Sequence, residues 1–180
     1  PISEAGESIE RFFTSGVMAL ASKLGPINWQ FMATKKFDPE DFQAFLDLLP
    51  TSHEGHSLQH AVEVRHESFC TPEFVEMIRA KGVAAVVAAD GDFPQIADPT
   101  APFIYARIMG TTEEEPLGYS VAAQELWLRR IKTWASGDLP EDMNYCGAGE
   151  TTSARDVYLY VISGHKIRNP QAATSLIEGL

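Results

Sequence analysis

The sequence predicts an α/β fold with parallel strands, a partial barrel of about five strands taken from the parallel (β/α)8 TIM-barrel-like fold. Short apolar strand patterns alternate with helical patterns along the chain, and this order requires crossover connections between parallel strands. In three strands, charged or aromatic residues share one face while the other face is aliphatic. An open parallel sheet is apolar on both faces, whereas a barrel opens its inward face into a polar cavity at the strand ends.

The helical patterns have clear starts and stops. Asp38 and Thr71 can cap their helices, Pro39 and Pro72 suit the first turn, and Gly25 is a natural stop for the first helix. The predicted helices cover residues 7–25, 37–50, 71–82 and 120–137, with a fifth beginning near residues 169–170.

Five apolar stretches between the helices predict the strands, within residues 25–32, 58–69, 83–90, 102–110 and 156–164. The connection Gly91–Ala101 contains Pro94 and Pro99, so we expect an irregular crossover there without a long helix. A loop from about Ser136 to Arg155 precedes the last strand.

The composition excludes several classes of protein. The chain carries 14 basic and 25 acidic residues, a net charge of −11, which disfavours nonspecific binding to nucleic acid or anionic membranes. Cys70 and Cys146 lack a CxxC partner and are expected to be reduced thiols. No apolar run is long enough to span a membrane and no signal peptide is recognised, so the predicted location is cytoplasmic.

A set of stretches carries a family resemblance: KLGPINWQF, HAVEVRHESF, GVAAVVAAD, FIYARIMG, GYSVAAQELWLRRIKTWA and RDVYLYVISG followed by NPQAA. Together they resemble the C-terminal part of the YecE-like family, known as domain of unknown function 72. The resemblance implies a TIM-barrel-like fold and no established activity. It also implies that residues 1–180 form a single domain without counterparts of roughly the first three βα units. We therefore expect unpaired strand edges at 25–32 and 157–163, closed by a partner or a rearrangement.

Two positions depart from the pattern of that family. Arg107 to Gly110 reads Arg-Ile-Met-Gly, so Met109 stands where the family has a histidine. The last strand ends in Ile162 and Ser163, where the family has two asparagines. Both departures fall at the expected mouth of the cavity, so the resemblance implies altered or absent chemistry here.

The candidate site lies at the C-terminal ends of the strands. Glu63 is predicted to act as acid or base, Arg65 and Arg107 to clamp an anion through paired hydrogen bonds, and Asp90 to complete the catalytic group. The candidate substrate-binding residues are Gln30, His66, Tyr105, Tyr158, Tyr160, Lys166 and Arg168.

These residues leave several functions open. The first is a hydrolase acting on a small anionic or phosphorylated substrate, and the second is a noncatalytic ligand-binding or interaction module. A Glu–Arg network that only fills the core is a third interpretation. A metal-dependent phosphodiesterase using Glu63, His66 and Asp90 is weaker, and no metal or cofactor is predicted. A solvated basic turn is the alternative for Lys166 and Arg168. We expect His53, His56 and His60 to lie in an exposed loop. The oligomeric state stays open.

Overall fold

A five-stranded parallel sheet forms the centre of the molecule, as the sequence predicts. The computed structural model describes residues 1–149, 151 and 153–180. Each strand pairs with the next along the chain: β1 (Ile27–Gln30), β2 (His60–Glu63), β3 (Ala84–Ala89), β4 (Phe103–Ile108) and β5 (Asp156–Val161). Strands β1 and β5 lie at the two edges, and over the described ranges no further strand joins them into a closed ring.

In the described ranges five α-helices flank the sheet: α1 (Gly6–Thr14), α2 (Pro39–Asp47), α3 (Pro72–Ala80), α4 (Val121–Ser136) and α5 (Asn169–Glu178). The predicted caps are present. The Asp38 side chain accepts a hydrogen bond from the Asp41 N–H at 3.1 Å, and Thr71 Oγ1 accepts one from the Phe74 N–H at 3.3 Å. Side-chain oxygens satisfy N–H groups that a helix start otherwise leaves unpaired.

The prediction of one continuous helix over residues 7–25 is wrong. Helix α1 ends at Thr14, and Gly16 follows with a φ of 99°. The segment Val17–Lys23 is then a 3₁₀ helix interrupted at Ala21, whose φ is 47°. A positive φ is incompatible with a right-handed helix, so the apolar periodicity continues across a turn instead of along one helix.

The two faces of the sheet differ in the predicted way. Outward side chains such as Val62 and Ile104 are buried against the helices in two large apolar clusters. Inward side chains such as Ala61 and Phe103 form a separate, smaller cluster. Because side chains alternate along a strand, the charged residue Glu63 continues the inward row of Ala61.

The crossover from β3 to β4 contains no helix. Thr100 Oγ1 accepts a hydrogen bond from the Ala85 N–H at 2.8 Å and donates one to the Val83 carbonyl at 2.7 Å. The Asp98 carboxylate then accepts from the N–H groups of Cys146 (2.7 Å) and Gly147 (2.9 Å) in the loop before β5. That loop therefore packs directly on the crossover.

Cys70 and Cys146 form a disulfide with a Cα–Cα distance of 5.1 Å, so the expectation of reduced thiols is wrong. The bond ties the β2–α3 connection to the loop before β5. Disulfides persist in oxidising compartments, so this bond gives no support to the cytoplasmic location predicted from the sequence. No helix in the described part of the chain is long and apolar enough to cross a membrane.

The expectation of three exposed loop histidines fails for His60, which begins β2 and is buried. Trp29 Nε1 donates to His60 Nδ1 at 3.1 Å, and His60 Nε2 lies 2.7 Å from the Pro50 carbonyl oxygen. Trp29 Nε1 can only donate and the carbonyl can only accept, so the neutral Nε2–H tautomer satisfies both contacts. His53 and His56 belong to a two-stranded hairpin, Ser52–His53 with His56–Ser57. His56 is exposed as expected, whereas His53 is half-buried with its ring stacked on that of Phe13.

Candidate functional site

Glu63 is the centre of a polar group on the inward face of the sheet. It is the last residue of β2 and its side chain is fully buried. Arg65 donates to Oε1 from Nε at 2.9 Å and from Nη2 at 2.7 Å. Oε2 accepts from Asn28 Nδ2 at 3.1 Å and from Arg107 Nη1. Both carboxylate oxygens are therefore occupied by donors from three different positions in the chain.

The strand register explains how these residues meet. Gln30 is the Cα partner of Glu63 across β1 and β2, and its Oε1 accepts from Arg107 Nη1 at 3.0 Å. Arg107 is on β4, and β3 lies between β4 and β2. Its Cα partner on β3 is Ala88, a small residue whose side chain leaves room above the strand. Arg107 can therefore reach across β3 to the carboxylate.

The arginines keep Glu63 ionised. Burial would raise its pKa, but the hydrogen bonds from Arg65, Asn28 and Arg107 outweigh burial, and the pKa is lowered. With one carboxylate and two guanidinium groups, the group has a net charge of +1. A carboxylate with both oxygens bonded and a lowered pKa is poorly suited to exchange protons near neutral pH. The geometry thus favours an anchoring role for Glu63 over the acid or base role expected from the sequence.

Part of each guanidinium group remains available. Within the described residues, no hydrogen bond is made by Arg107 Nε or Nη2, or by Arg65 Nη1, and the two side chains are 20% and 22% exposed. The Arg65 guanidinium also lies over the ring of Phe93, 4.3 Å from its centroid. Nε and Nη2 of one arginine form an edge that matches the two oxygens of a carboxylate or phosphate.

The three predicted tyrosines line the same inward face. The rings of Tyr105 and Tyr160 stack with centroids 5.0 Å apart, and Tyr158 meets Phe103 edge to face at 5.8 Å. Burial, with the neighbouring Tyr160, raises the pKa of Tyr105 to about 12. Tyr105 therefore stays protonated near neutral pH and can donate a hydrogen bond but cannot serve as a base.

Asp90, predicted to be part of the catalytic group, turns away from it. Its φ is 58°, which breaks the alternation of β3, and its Oδ2 accepts from Tyr119 Oη at 3.0 Å and from Trp127 Nε1 at 2.8 Å. Trp127 belongs to α4 and lies in the outer apolar cluster. Among the contacts that the structure describes, no hydrogen bond or ion pair joins Asp90 to Glu63.

His66 has a structural contact that fixes its ring. Its Nδ1 accepts from the Ser68 N–H at 3.1 Å and so caps the short 3₁₀ helix Glu67–Phe69. His66 and Arg65 also line an open cleft of about 470 Å³, together with Glu67, Asp92, Phe93 and Pro94. Where the structure describes the chain, no three His, Cys, Asp or Glu residues are grouped as metal ligands would be.

Lys166 and Arg168 lie in a separate turn that precedes α5. Arg168 donates to the backbone carbonyls of Glu113 (3.3 Å) and Pro116 (3.4 Å), and so holds a neighbouring loop. Lys166 is exposed. No described contact connects either residue to Glu63. Lys166 fits the interpretation as a solvated basic turn, whereas Arg168 is half-buried and holds the neighbouring loop.

Asn28 and Phe93 were missed by the sequence reasoning. Asn28 could have been found, because alternation along β1 places it on the same face as Gln30. Phe93 lies in the irregular crossover, where no periodicity indicates a direction. Its contact with Arg65 depends on the path of the loop.

The comparisons with known proteins identify the family. The profile of the family described as "Protein of unknown function DUF72" matches residues 2–180. The chain belongs to the DUF72 family. No curated protein matches the chain at a significant level.

Two solved DUF72 structures are similar to this chain. A DUF72 family protein from Thermotoga maritima has a TM-score of 0.64 at 18% identity, over 97% of this chain and 64% of that one. A DUF72 family protein from Enterococcus faecalis has a TM-score of 0.66 at 15% identity, over 94% of this chain and 66% of that one. At such identities the likeness shows the fold, which is TIM-barrel-like with five strands in an open arc. The chain spans 64% and 66% of the lengths of these DUF72 relatives.

The two positions at which the resemblance implied a departure, Met109 and Ile162 with Ser163, follow the ends of β4 and β5. The Met109 N–H donates to the Ala89 carbonyl at 3.0 Å. The Ile162 N–H donates to the Ile108 carbonyl at 2.9 Å, and Ser163 follows with a φ of 56°. These backbone contacts extend the parallel pairing by one residue at each place, and the side chains of Met109 and Ile162 supply no polar group.

Proposed function

We propose that the inward face of this DUF72 protein binds a small organic anion, a carboxylate or a phosphate, through Arg107 and Arg65. The observation that carries the proposal is the free edge of Arg107. Its Nη1 is bonded to Glu63 and Gln30, which fixes the guanidinium plane, while Nε and Nη2 have no partner among the described residues. A guanidinium held in place loses less side-chain entropy when it binds a ligand.

The charges support a small anion over a polyanion. The group formed by Glu63, Arg65 and Arg107 has a net charge of +1, whereas the whole chain has −11. Two carboxylates, Glu67 and Asp92, also border the cleft beside Arg65. A ligand that contacts only the two arginines meets a positive site, whereas a nucleic acid strand would extend over acidic surface.

Binding without hydrolysis is the better supported form of this proposal. Hydrolysis requires a proton acceptor within hydrogen-bonding reach of the attacking water. Of the predicted site residues, Glu63 has both oxygens occupied, Tyr105 is protonated, and His66 Nδ1 already accepts from the Ser68 N–H. The carboxylates of Glu67 and Asp92 border the cleft beside Arg65, and no described contact joins them to Arg107. A hydrolase acting on a small phosphorylated substrate is the second candidate, because the free donors of Arg107 would also stabilise charge that develops on a phosphoryl oxygen.

Titration of the chain with inorganic phosphate and with citrate, followed by NMR and by calorimetry, tests the proposal. Arg107→Lys keeps a positive charge beside Glu63 but lacks the paired Nε and Nη2 donors. We therefore expect at least about a tenfold loss of affinity for both anions. Arg129→Lys is the matched control, because Arg129 is an exposed arginine on α4, and we expect unchanged affinity. Equal affinities of the wild type and Arg107→Lys would contradict the proposal.

A further inference from the structure

The stacked tyrosines present aromatic surface beside the anion site. Tyr105 is 8% exposed, whereas Tyr160, whose ring stacks on it at 29° between planes, is 41% exposed. The exposed part of the Tyr160 ring contributes nothing to the hydrophobic stabilisation of the fold and is available to a ligand. The outer ring of this stack meets solvent.

The strand register places Tyr160 and Arg107 side by side on the inward face. Tyr160 on β5 and Arg107 on β4 are Cα partners in neighbouring parallel strands. Partner residues on such strands are about 4.8 Å apart and project on the same side of the sheet. The exposed ring of Tyr160 and the unbonded Nε and Nη2 of Arg107 therefore border one patch.

We propose that this patch selects an anion attached to an aromatic ring, with the charged group on Arg107 and the ring on Tyr160. The inference rests on the proposed anion site and adds the class of its ligand. Tyr160 lies above Tyr105, which is itself buried, so the outer ring has a fixed support for offset stacking. Stacking of this kind adds to affinity beyond burial of apolar area.

Three probes separate the ring from the charge: inorganic phosphate, phenyl phosphate and ribose 5-phosphate, each titrated into the wild-type chain. We expect phenyl phosphate to bind about three- to tenfold more tightly than inorganic phosphate, the range typical of one aromatic contact. Ribose 5-phosphate has a ring without aromatic faces and is expected to bind like inorganic phosphate. Tyr160→Leu should remove the advantage of phenyl phosphate, and Tyr160→Phe should retain it.

The outcomes distinguish this inference from the proposed function. If phosphate binds but phenyl phosphate has no advantage, or keeps its advantage in Tyr160→Leu, the ring assignment is overturned and the anion site stands. If only ribose 5-phosphate binds more tightly than inorganic phosphate, the ring assignment is also overturned. If no probe binds the wild type, the anion site fails and the ring assignment fails with it. Proton NMR spectra of each Tyr160 variant report whether it is folded. If Tyr160→Leu is unfolded, the Tyr160 ring protons of the wild type give the answer, because phenyl phosphate should shift them by its ring current and inorganic phosphate should not.

Discussion

Glu63 and Arg107 form an ion pair although 44 residues of sequence and one whole strand separate them. The carboxylate is fully buried, and the arginine reaches it over Ala88 of β3. The same carboxylate holds Arg65 through two hydrogen bonds. One buried negative charge thus orients two guanidinium groups, and the stability of the sheet and the geometry of the anion site depend on the same residue.

Replacement of Glu63 by glutamine should lower the free energy of unfolding by about 2–4 kcal/mol. Removal of one partner from a buried ion pair costs about 3–5 kcal/mol, and water can partly solvate the two arginines, whose side chains are about one-fifth exposed. Urea unfolding measures the change. Glu76→Gln is the control, because Glu76 pairs with Arg79 at the surface with 62% of its side chain exposed, and it should cost less than about 0.5 kcal/mol. Equal stability of Glu63→Gln and Glu76→Gln would contradict an anchoring role.

His60 should make the protein less stable in mild acid. Burial lowers its pKa from 6.5, although the hydrogen bond to the Pro50 carbonyl partly opposes this. The unfolded chain therefore binds a proton at pH values where folded His60 stays neutral, so stability is full above about pH 6.5 and declines as the pH falls below it. Protonation of Nδ1 would also break the hydrogen bond from Trp29 Nε1, because the two facing groups would then both be N–H donors.

The free energy of unfolding between pH 8 and pH 5.5 tests this prediction. The wild type should lose stability below about pH 6.5, and His60→Gln should lose much less over the same range, even if it is less stable at pH 8. His56→Gln serves as the control, because His56 is exposed in the hairpin, and its pH dependence should match that of the wild type. If the free energy of unfolding of His60→Gln falls with pH as much as that of the wild type, another group causes the effect.

The fold could be predicted because its signals are local. The caps at Asp38 and Thr71 and the alternation of charged and aliphatic residues in β2 act within a few residues, and the structure has them as expected. Alternation also predicted that Glu63, Arg65 and Arg107 share one face, and the structure brings these three together.

What the sequence did not reveal depends on backbone turns or on distant contacts. Alternation assigned Asp90 to the cavity, but a positive φ at that residue ends the alternation and turns the carboxylate to Trp127. Cys70 and Cys146 are 76 residues apart, and they meet only because the loop before β5 packs on a crossover that has no helix. Neither feature has a periodicity that sequence patterns could detect.

Thr100 should be required for the crossover that lacks a helix. Its hydroxyl joins the Ala85 N–H to the Val83 carbonyl in a buried position. Thr100→Val keeps the shape but leaves both backbone groups unpaired, so we expect a loss of about 2 kcal/mol and faster hydrogen exchange of the Ala85 amide. Thr112→Val, at an exposed threonine, should change neither quantity. Unchanged protection of the Ala85 amide in Thr100→Val would show that another group satisfies it.

The disulfide should stabilise the packing of the loop before β5. Cys70 and Cys146 close a loop with a sequence separation of 76 residues, and a native disulfide typically contributes about 2–4 kcal/mol. Reduction by a phosphine, or the double change Cys70→Ser with Cys146→Ser, should lower the free energy of unfolding by this amount. Amides that depend on the loop, such as those of Cys146 and Gly147 bonded to Asp98, should then exchange faster.

The double serine variant is also the control for the reductant, because a phosphine should not change its stability. A thiol count under denaturing conditions checks the bond directly, with no free thiols expected before reduction and two after it. If the untreated protein already shows two thiols, the cysteines lie side by side without a bond. The loop would then be held on the crossover by Asp98 and the backbone contacts alone, and reduction would leave the free energy of unfolding unchanged.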